Sequence, residues 1–66
     1  MITIEQAKQL KHGDYLLDTS TNKRWKVTSK IKLWKRDPGR FEFSVKHGLY
    51  DYGIVTDYNN ETLEVM

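Results

Sequence analysis

The chain has 66 residues, a formal net charge of +2 and no cysteine. This composition excludes a disulfide framework and a cysteine-based zinc site, and the length predicts one domain, residues 1–66, with a small core. No segment approaches the ~20 apolar residues of a membrane span, and the residues after Met1 lack the apolar run of a signal peptide, so we expect a cytoplasmic protein without membrane association.

The charge is divided along the chain. Residues 1–22 have a net charge of −1 and residues 48–66 a net charge of −4. Residues 23–47 hold nine basic residues against two acidic ones, a net charge of +7. A basic segment of this kind attracts polyanions or acidic protein surfaces, although outward lysines also protect sheets from aggregation.

A short helix is predicted at residues 3–11. Thr3 and Gln6 have the spacing of a capping box, and Gly13 is a natural stop after the last turn. Apolar residues recur in this segment at helical spacing: Ile4, Ala7 and Leu10. We expect this narrow stripe to close one end of a sheet core.

Five strands are predicted after the helix. The first is short, at residues 14–18, and a polar turn follows it. A long strand from residue 24 and a second arm at 40–46 form a central hairpin. Aromatic and β-branched residues at 49–58, with Gly53 as a bend or bulge, form the fourth strand, and 63–65 form the fifth.

Side chains alternate along both arms of the hairpin, which separates an inward from an outward face. The inward face is mostly apolar: Trp25, Val27, Ser29, Ile31, Leu33, Phe41, Phe43 and Val45. The outward face is mostly basic: Arg24, Lys26, Thr28, Lys30, Lys32, Trp34, Arg36, Arg40, Glu42, Ser44 and Lys46. Trp34 is the exception, a large aromatic residue among cations.

The same alternation limits the loop of the hairpin, because opposed residues must share a face. A loop at residues 37–39 pairs Leu33 with Phe43, whereas a loop at 35–39 pairs Leu33 with Phe41. Pro38 disfavours the helical conformation that the shorter loop needs at Asp37, so the longer loop is favoured. A bulge would also satisfy the alternation.

The order of these elements resembles that of SH3-like small barrels. A lead-in ends in Leu-Lys-His-Gly-Asp at residues 10–14, and a long second strand, a central hairpin, a fourth strand, a brief turn and a short fifth strand follow. The resemblance implies a mainly β, five-stranded SH3-like barrel with an added N-terminal helix. Such barrels occur in ribosomal, transcription-associated, chromatin and phage-encoded proteins and in peptide-binding modules, which favours binding over catalysis.

The basic face of the hairpin is the candidate site. Its residues are Lys26, Lys30, Lys32, Trp34, Lys35, Arg36, Arg40 and Lys46. Lysine and arginine neutralise phosphates, and an exposed aromatic ring adds a surface on which bases stack. These residues predict sequence-tolerant nucleic-acid binding. The alternative is a solvated sheet face, with Trp34 either folded over the aliphatic stems of its neighbours or buried by a bulge.

Other residues give weaker indications. Tyr50 and Tyr52 could grip a base or a peptide, or could simply cover a small core. His12 and His47 lack the spacing of a metal site, and no nucleophile–base pair or phosphate-cradling glycine motif is present. We therefore predict no enzyme, no metal and no cofactor.

A rival hypothesis is a protein-interaction module, either a small subunit or a phage-type inhibitor that docks on an acidic partner. In that case Trp34 would be the anchor of the interface, because Trp, Tyr and Arg dominate such contacts. A homodimer through an exposed strand edge is compatible with both hypotheses.

Overall fold

The computed structural model describes residues 1–66 as one helix and a curled antiparallel sheet that forms a half-barrel. The elements are α1 (Ile4–Gln9), β1 (Tyr15–Asp18), β2 (Lys23–Val27), β3 (Lys32–Leu33), β4 (Phe41–His47), β5 (Asp51–Thr56) and β6 (Leu63–Val65). Strand β4 is central, with β5 on one side and both β2 and β3 on the other. Strands β1 and β6 continue the sheet beyond β2.

The predicted capping box is present at the start of α1. The Gln6 amide donates to Thr3 Oγ1 at 3.2 Å, and the Thr3 amide donates to Gln6 Oε1 at 3.0 Å. The helix is shorter than predicted, because the backbone is already extended at Leu10, whose side chain is buried in the core. The structure contains no helix with the length and hydropathy of a membrane span.

The loop between β3 and β4 has the predicted length. Leu33 pairs with Phe41, and the Trp34 amide donates to the Arg40 carbonyl at 3.4 Å, which leaves residues 35–39 as the loop. The longer of the two loops that alternation allowed is therefore confirmed.

The prediction of one long strand from residue 24 is wrong, because a kink separates β2 from β3. The Thr28 amide still donates to the Ser44 carbonyl, but residues 29–31 then lie opposite Phe43 alone. Ser29 stabilises the kink, since its Oγ accepts from the Ser44 amide at 2.9 Å. The sheet thus has six strands rather than five, and the two extra residues keep the alternation of faces in phase.

The inner face of the sheet and one side of α1 form the core. Its buried residues are Ile2, Ala7, Leu10, Leu16, Val27, Phe41, Phe43, Val45, Val55 and Leu63. Trp25 and Ile31 pack against this cluster as the alternation predicted. Leu33 was expected to lie inward but is 42% exposed, because β3 has no neighbour beyond it that would cover this side chain.

A buried asparagine connects the N-terminus to the segment before β6. The Ile2 amide donates to Asn60 Oδ1 at 2.9 Å, and Asn60 Nδ2 donates to the Thr56 carbonyl at 2.8 Å. The sequence predicted only a brief turn at this position. Asn60 is therefore a structural residue that bridges two parts of the chain far apart in sequence.

Candidate nucleic-acid interface

Four residues from four adjacent strands form one row across the outer face of the sheet. Tyr15 of β1 opposes Lys26 of β2, Lys26 opposes Lys46 of β4, and Lys46 opposes Tyr52 of β5. Opposed residues share a face, and the row points outward because the adjacent Val27 is buried. We call these four residues the Tyr–Lys row.

The positive charge of the Tyr–Lys row is not neutralised within the protein. Like charges directly opposed across two strands are destabilising, and Lys26 and Lys46 are such a pair. Lys46 Nζ lies 5.4 Å from the centre of the Tyr52 ring, a cation–π contact that offsets part of this repulsion. The only ion pairs join the N-terminus to Glu64 and Arg40 to Asp57, so neither lysine has a carboxylate partner.

The tyrosines at the two ends of the row are accessible. Tyr15 is 48% exposed and Tyr52 is 68% exposed. Aromatic rings beside cations provide the stacking surfaces that proteins use for single-stranded nucleic acids. The row therefore offers two phosphate-binding groups between two rings.

A basic cleft of about 380 Å³ lies between three residues of the row and the turns that follow α1 and β4. Its lining residues are His12, Tyr15, Arg24, Lys26, Thr28, Lys46 and Gly48, and none of them carries a carboxylate. The cleft therefore adds Arg24 to the two lysines of the row.

The tip of the central hairpin holds a second group of cations, around Trp34. Lys32 Nζ lies 4.8 Å and Arg40 Cζ 5.0 Å from the centre of the half-buried indole ring. Arg40 Nε also lies 3.9 Å from Asp57, and Lys32 opposes Glu42 on the same face. We call Lys32, Trp34 and Arg40 the tip cluster. Its charges are partly compensated, unlike those of the Tyr–Lys row.

The kink divides the predicted basic face into these two groups. Lys26 and Lys46 belong to the Tyr–Lys row, and Lys32, Trp34 and Arg40 form the tip cluster. The other predicted site residues are exposed, Lys30 in the kink and Lys35 and Arg36 in the loop.

No family model, curated protein or solved structure matches this chain. Its function is therefore inferred from the surface itself.

Sequence reasoning missed Tyr15 and did not place Tyr52 beside a lysine. It assigned Arg24 to the outward face but left it out of the candidate site. Alternation along one hairpin cannot show which residues of β1 and β5 lie next to it. The register of the flanking strands determines that arrangement.

A separate apolar surface lies at the turn between β4 and β5. Leu49 is 74% exposed and Tyr50 is 87% exposed. Ile54 is also exposed, but it lies farther along the outer face of β5, beyond Tyr52 and away from the turn. Clustered exposed apolar residues are typical of interaction sites.

Proposed function

We propose that this protein is a non-enzymatic domain that binds nucleic acid through the outer face of its sheet. The Tyr–Lys row is the centre of this surface. The observation that carries the proposal is the direct opposition of Lys26 and Lys46 without a carboxylate partner. A phosphate placed between them would relieve a repulsion that the free protein must tolerate.

Binding is expected to be tolerant of sequence. Lysine contacts to phosphates carry no base information, and any base can stack on Tyr15, or on Tyr52 once Lys46 moves from its ring to a phosphate. The tip cluster and the exposed Lys30, Lys35 and Arg36 would extend the contact along the strand. Stacking on Trp34 would require Lys32 or Arg40 to move away from the ring, because both lie within about 5 Å of its centre.

We also infer that the half-barrel is a variant of the SH3-like small barrel. The curled antiparallel sheet, the central hairpin and the short last strand support this assignment. The helix α1 and the kink between β2 and β3 would be additions to that barrel.

The test is a titration with single- and double-stranded oligonucleotides at salt concentrations between about 50 and 200 mM. The logarithm of the association constant should fall linearly with the logarithm of salt concentration. A Lys26→Gln/Lys46→Gln double variant should bind more weakly and reduce the magnitude of the single-strand salt slope by about 0.7, since the two lysines share one phosphate and each phosphate contact contributes ~0.7.

A matched control removes the same charge from elsewhere on the surface. Lys8 and Lys11 are exposed on and just after α1, and a Lys8→Gln/Lys11→Gln variant should retain most of the affinity. Equal losses in the two double variants would show that net charge matters rather than the Tyr–Lys row. Absence of binding near 50 mM salt would contradict the proposal itself.

The second candidate function is that of a protein-interaction module, either a small subunit of a larger assembly or an inhibitor. The exposed Leu49 and Tyr50 favour it, and they suit the role of anchor better than Trp34, whose ring already contacts two cations. Capture of a partner from an extract, with and without nuclease, separates the two functions. Capture that survives nuclease and is lost in a Leu49→Ser/Tyr50→Ser variant would support protein binding.

A further inference from the structure

We propose that the basic cleft beside the Tyr–Lys row binds a phosphomonoester, the terminal phosphate of a nucleic-acid strand. This inference rests on the proposed function and adds a preference for strand ends. The position of the cleft, the hydrogen bonds that fix its backbone and the positive charges that line it all support this proposal.

Several parts of the chain converge on the cleft. Strand β2 supplies Arg24 and Lys26, and β4 supplies Lys46. The turn after α1 contributes His12, and the turn after β4 contributes Gly48. The cleft is therefore lined by two turns as well as by three residues of the Tyr–Lys row.

The walls of the cleft are fixed by backbone hydrogen bonds. The Gly13 amide donates to the Val27 carbonyl at 2.8 Å, and the Val27 amide donates to the Asp14 carbonyl at 2.7 Å. These bonds hold the turn that carries His12 against β2. His47 Nδ1 lies 2.8 Å from the Arg24 carbonyl, which fixes the backbone beneath the arginine. The backbone of the site is therefore ordered before a ligand binds, and the ordering on binding is limited to the side chains.

The charge of the cleft matches a terminal phosphate better than an internal one. Arg24, Lys26 and Lys46 supply three positive charges, and no lining residue is acidic. Asp14, in the adjoining cleft, accepts from the Lys11 amide at 2.9 Å. A phosphodiester carries a single negative charge, whereas a phosphomonoester carries about −1.5 to −2 at neutral pH.

The hydrogen-bonding groups suit a terminal phosphate as well. The guanidinium of Arg24 can bind two phosphate oxygens at once, and the ammonium groups of the lysines can bind the third. The hydroxyls of Tyr15 and Thr28 also line the cleft. An internal phosphate has two oxygens esterified to sugars, so fewer of these groups would find a partner.

The experiment compares three oligonucleotides of one sequence, with a 5′-phosphate, with a 3′-phosphate and with hydroxyl groups at both ends. At least one phosphorylated strand should bind about tenfold or more tightly than the hydroxyl-terminated strand, because hydrogen bonds to charged groups are strong. Inorganic pyrophosphate should compete with that strand. The Arg24→Gln variant should lose the advantage of the terminal phosphate, whereas the control Lys8→Gln should keep it.

The outcomes distinguish this inference from the proposed function. Equal affinity for all three oligonucleotides would overturn the inference but leave nucleic-acid binding in place. Binding of pyrophosphate without binding of any oligonucleotide would overturn both. A phosphoserine peptide that binds as tightly as the phosphorylated strand would overturn the assignment to strand ends. An advantage that persists in Arg24→Gln would show that the cleft is not the site.

Discussion

Replacing Lys26 by glutamate should make this domain more stable and at the same time a weaker ligand for nucleic acid. Lys26 directly opposes Lys46 across β2 and β4, so the substitution converts a repulsive pair into an attractive one. If the substitution stabilises the fold, then lysine at position 26 is not the residue that is optimal for stability.

The expected gain can be worked from the pairing. A cross-strand charge pair contributes roughly 0.2–1 kcal/mol, and both the lost repulsion and the new attraction act in the same direction, for a total of about 1 kcal/mol. In a domain of this size, about 1 kcal/mol corresponds to a rise of about 4–8 °C in Tm. Near 1 M salt, where the screening length is ~3 Å, most of the gain should disappear.

The assay is thermal unfolding followed by circular dichroism at low and high salt, together with oligonucleotide titration. Lys30→Glu is the matched control, because it makes the same charge change in the kink, where no residue is paired with it. The reasoning is refuted if Lys26→Glu is no more stable than Lys30→Glu at low salt. It is also refuted if the stabilised variant keeps its full affinity.

Three further substitutions test other parts of the structure. Asn60→Ala leaves the Ile2 amide and the Thr56 carbonyl without a partner and should destabilise the domain by ~1–3 kcal/mol for each group. Denaturant unfolding measures this loss, and an unchanged midpoint would contradict the role of Asn60 as a bridge. Asn59→Ala removes the side chain that bonds to the free edge of β5, so sedimentation should show stronger concentration-dependent association than in the native protein. The hydroxyl of Ser20 donates to Asp18 at 2.6 Å and lowers the pKa of that carboxyl. The ionised carboxylate therefore stabilises the fold above the ordinary aspartate pKa of ~4. This stabilisation is lost as the pH falls through the lowered pKa. Ser20→Ala should raise the Asp18 pKa in an NMR titration and weaken this pH dependence, and an unmoved titration would contradict the assigned cause.

The alternation of side chains predicted the hairpin well. It placed Val27, Phe41, Phe43 and Val45 inside, and all four are buried. Combined with the restriction that Pro38 imposes, it also gave the correct loop. These features were predictable because both arms are close in sequence and one face must be buried.

The kink between β2 and β3 was not predictable in this way. Residues 28–31 continue the alternation without a break, and an insertion of two residues does not change which side chains face inward. The hydrogen bond from Ser44 to Ser29, which stabilises the kink, depends on contact between two strands rather than on local sequence. The predicted basic face was divided for this reason.

The Tyr–Lys row was also beyond local reasoning. Lys26 and Lys46 were predicted to share a face, but their direct opposition depends on the kink. The positions of Tyr15 and Tyr52 depend on the registers of β1 with β2 and of β4 with β5. Two different turns determine those registers, and neither has a sequence that fixes its length.

An NMR titration of the labelled protein with a short single-stranded oligonucleotide tests the central claim most directly. We expect the largest shift changes at Tyr15, Lys26, Lys46 and Tyr52, and we expect added salt to reverse them. Changes confined to Leu49 and its neighbours, or no change at low salt, would contradict the account.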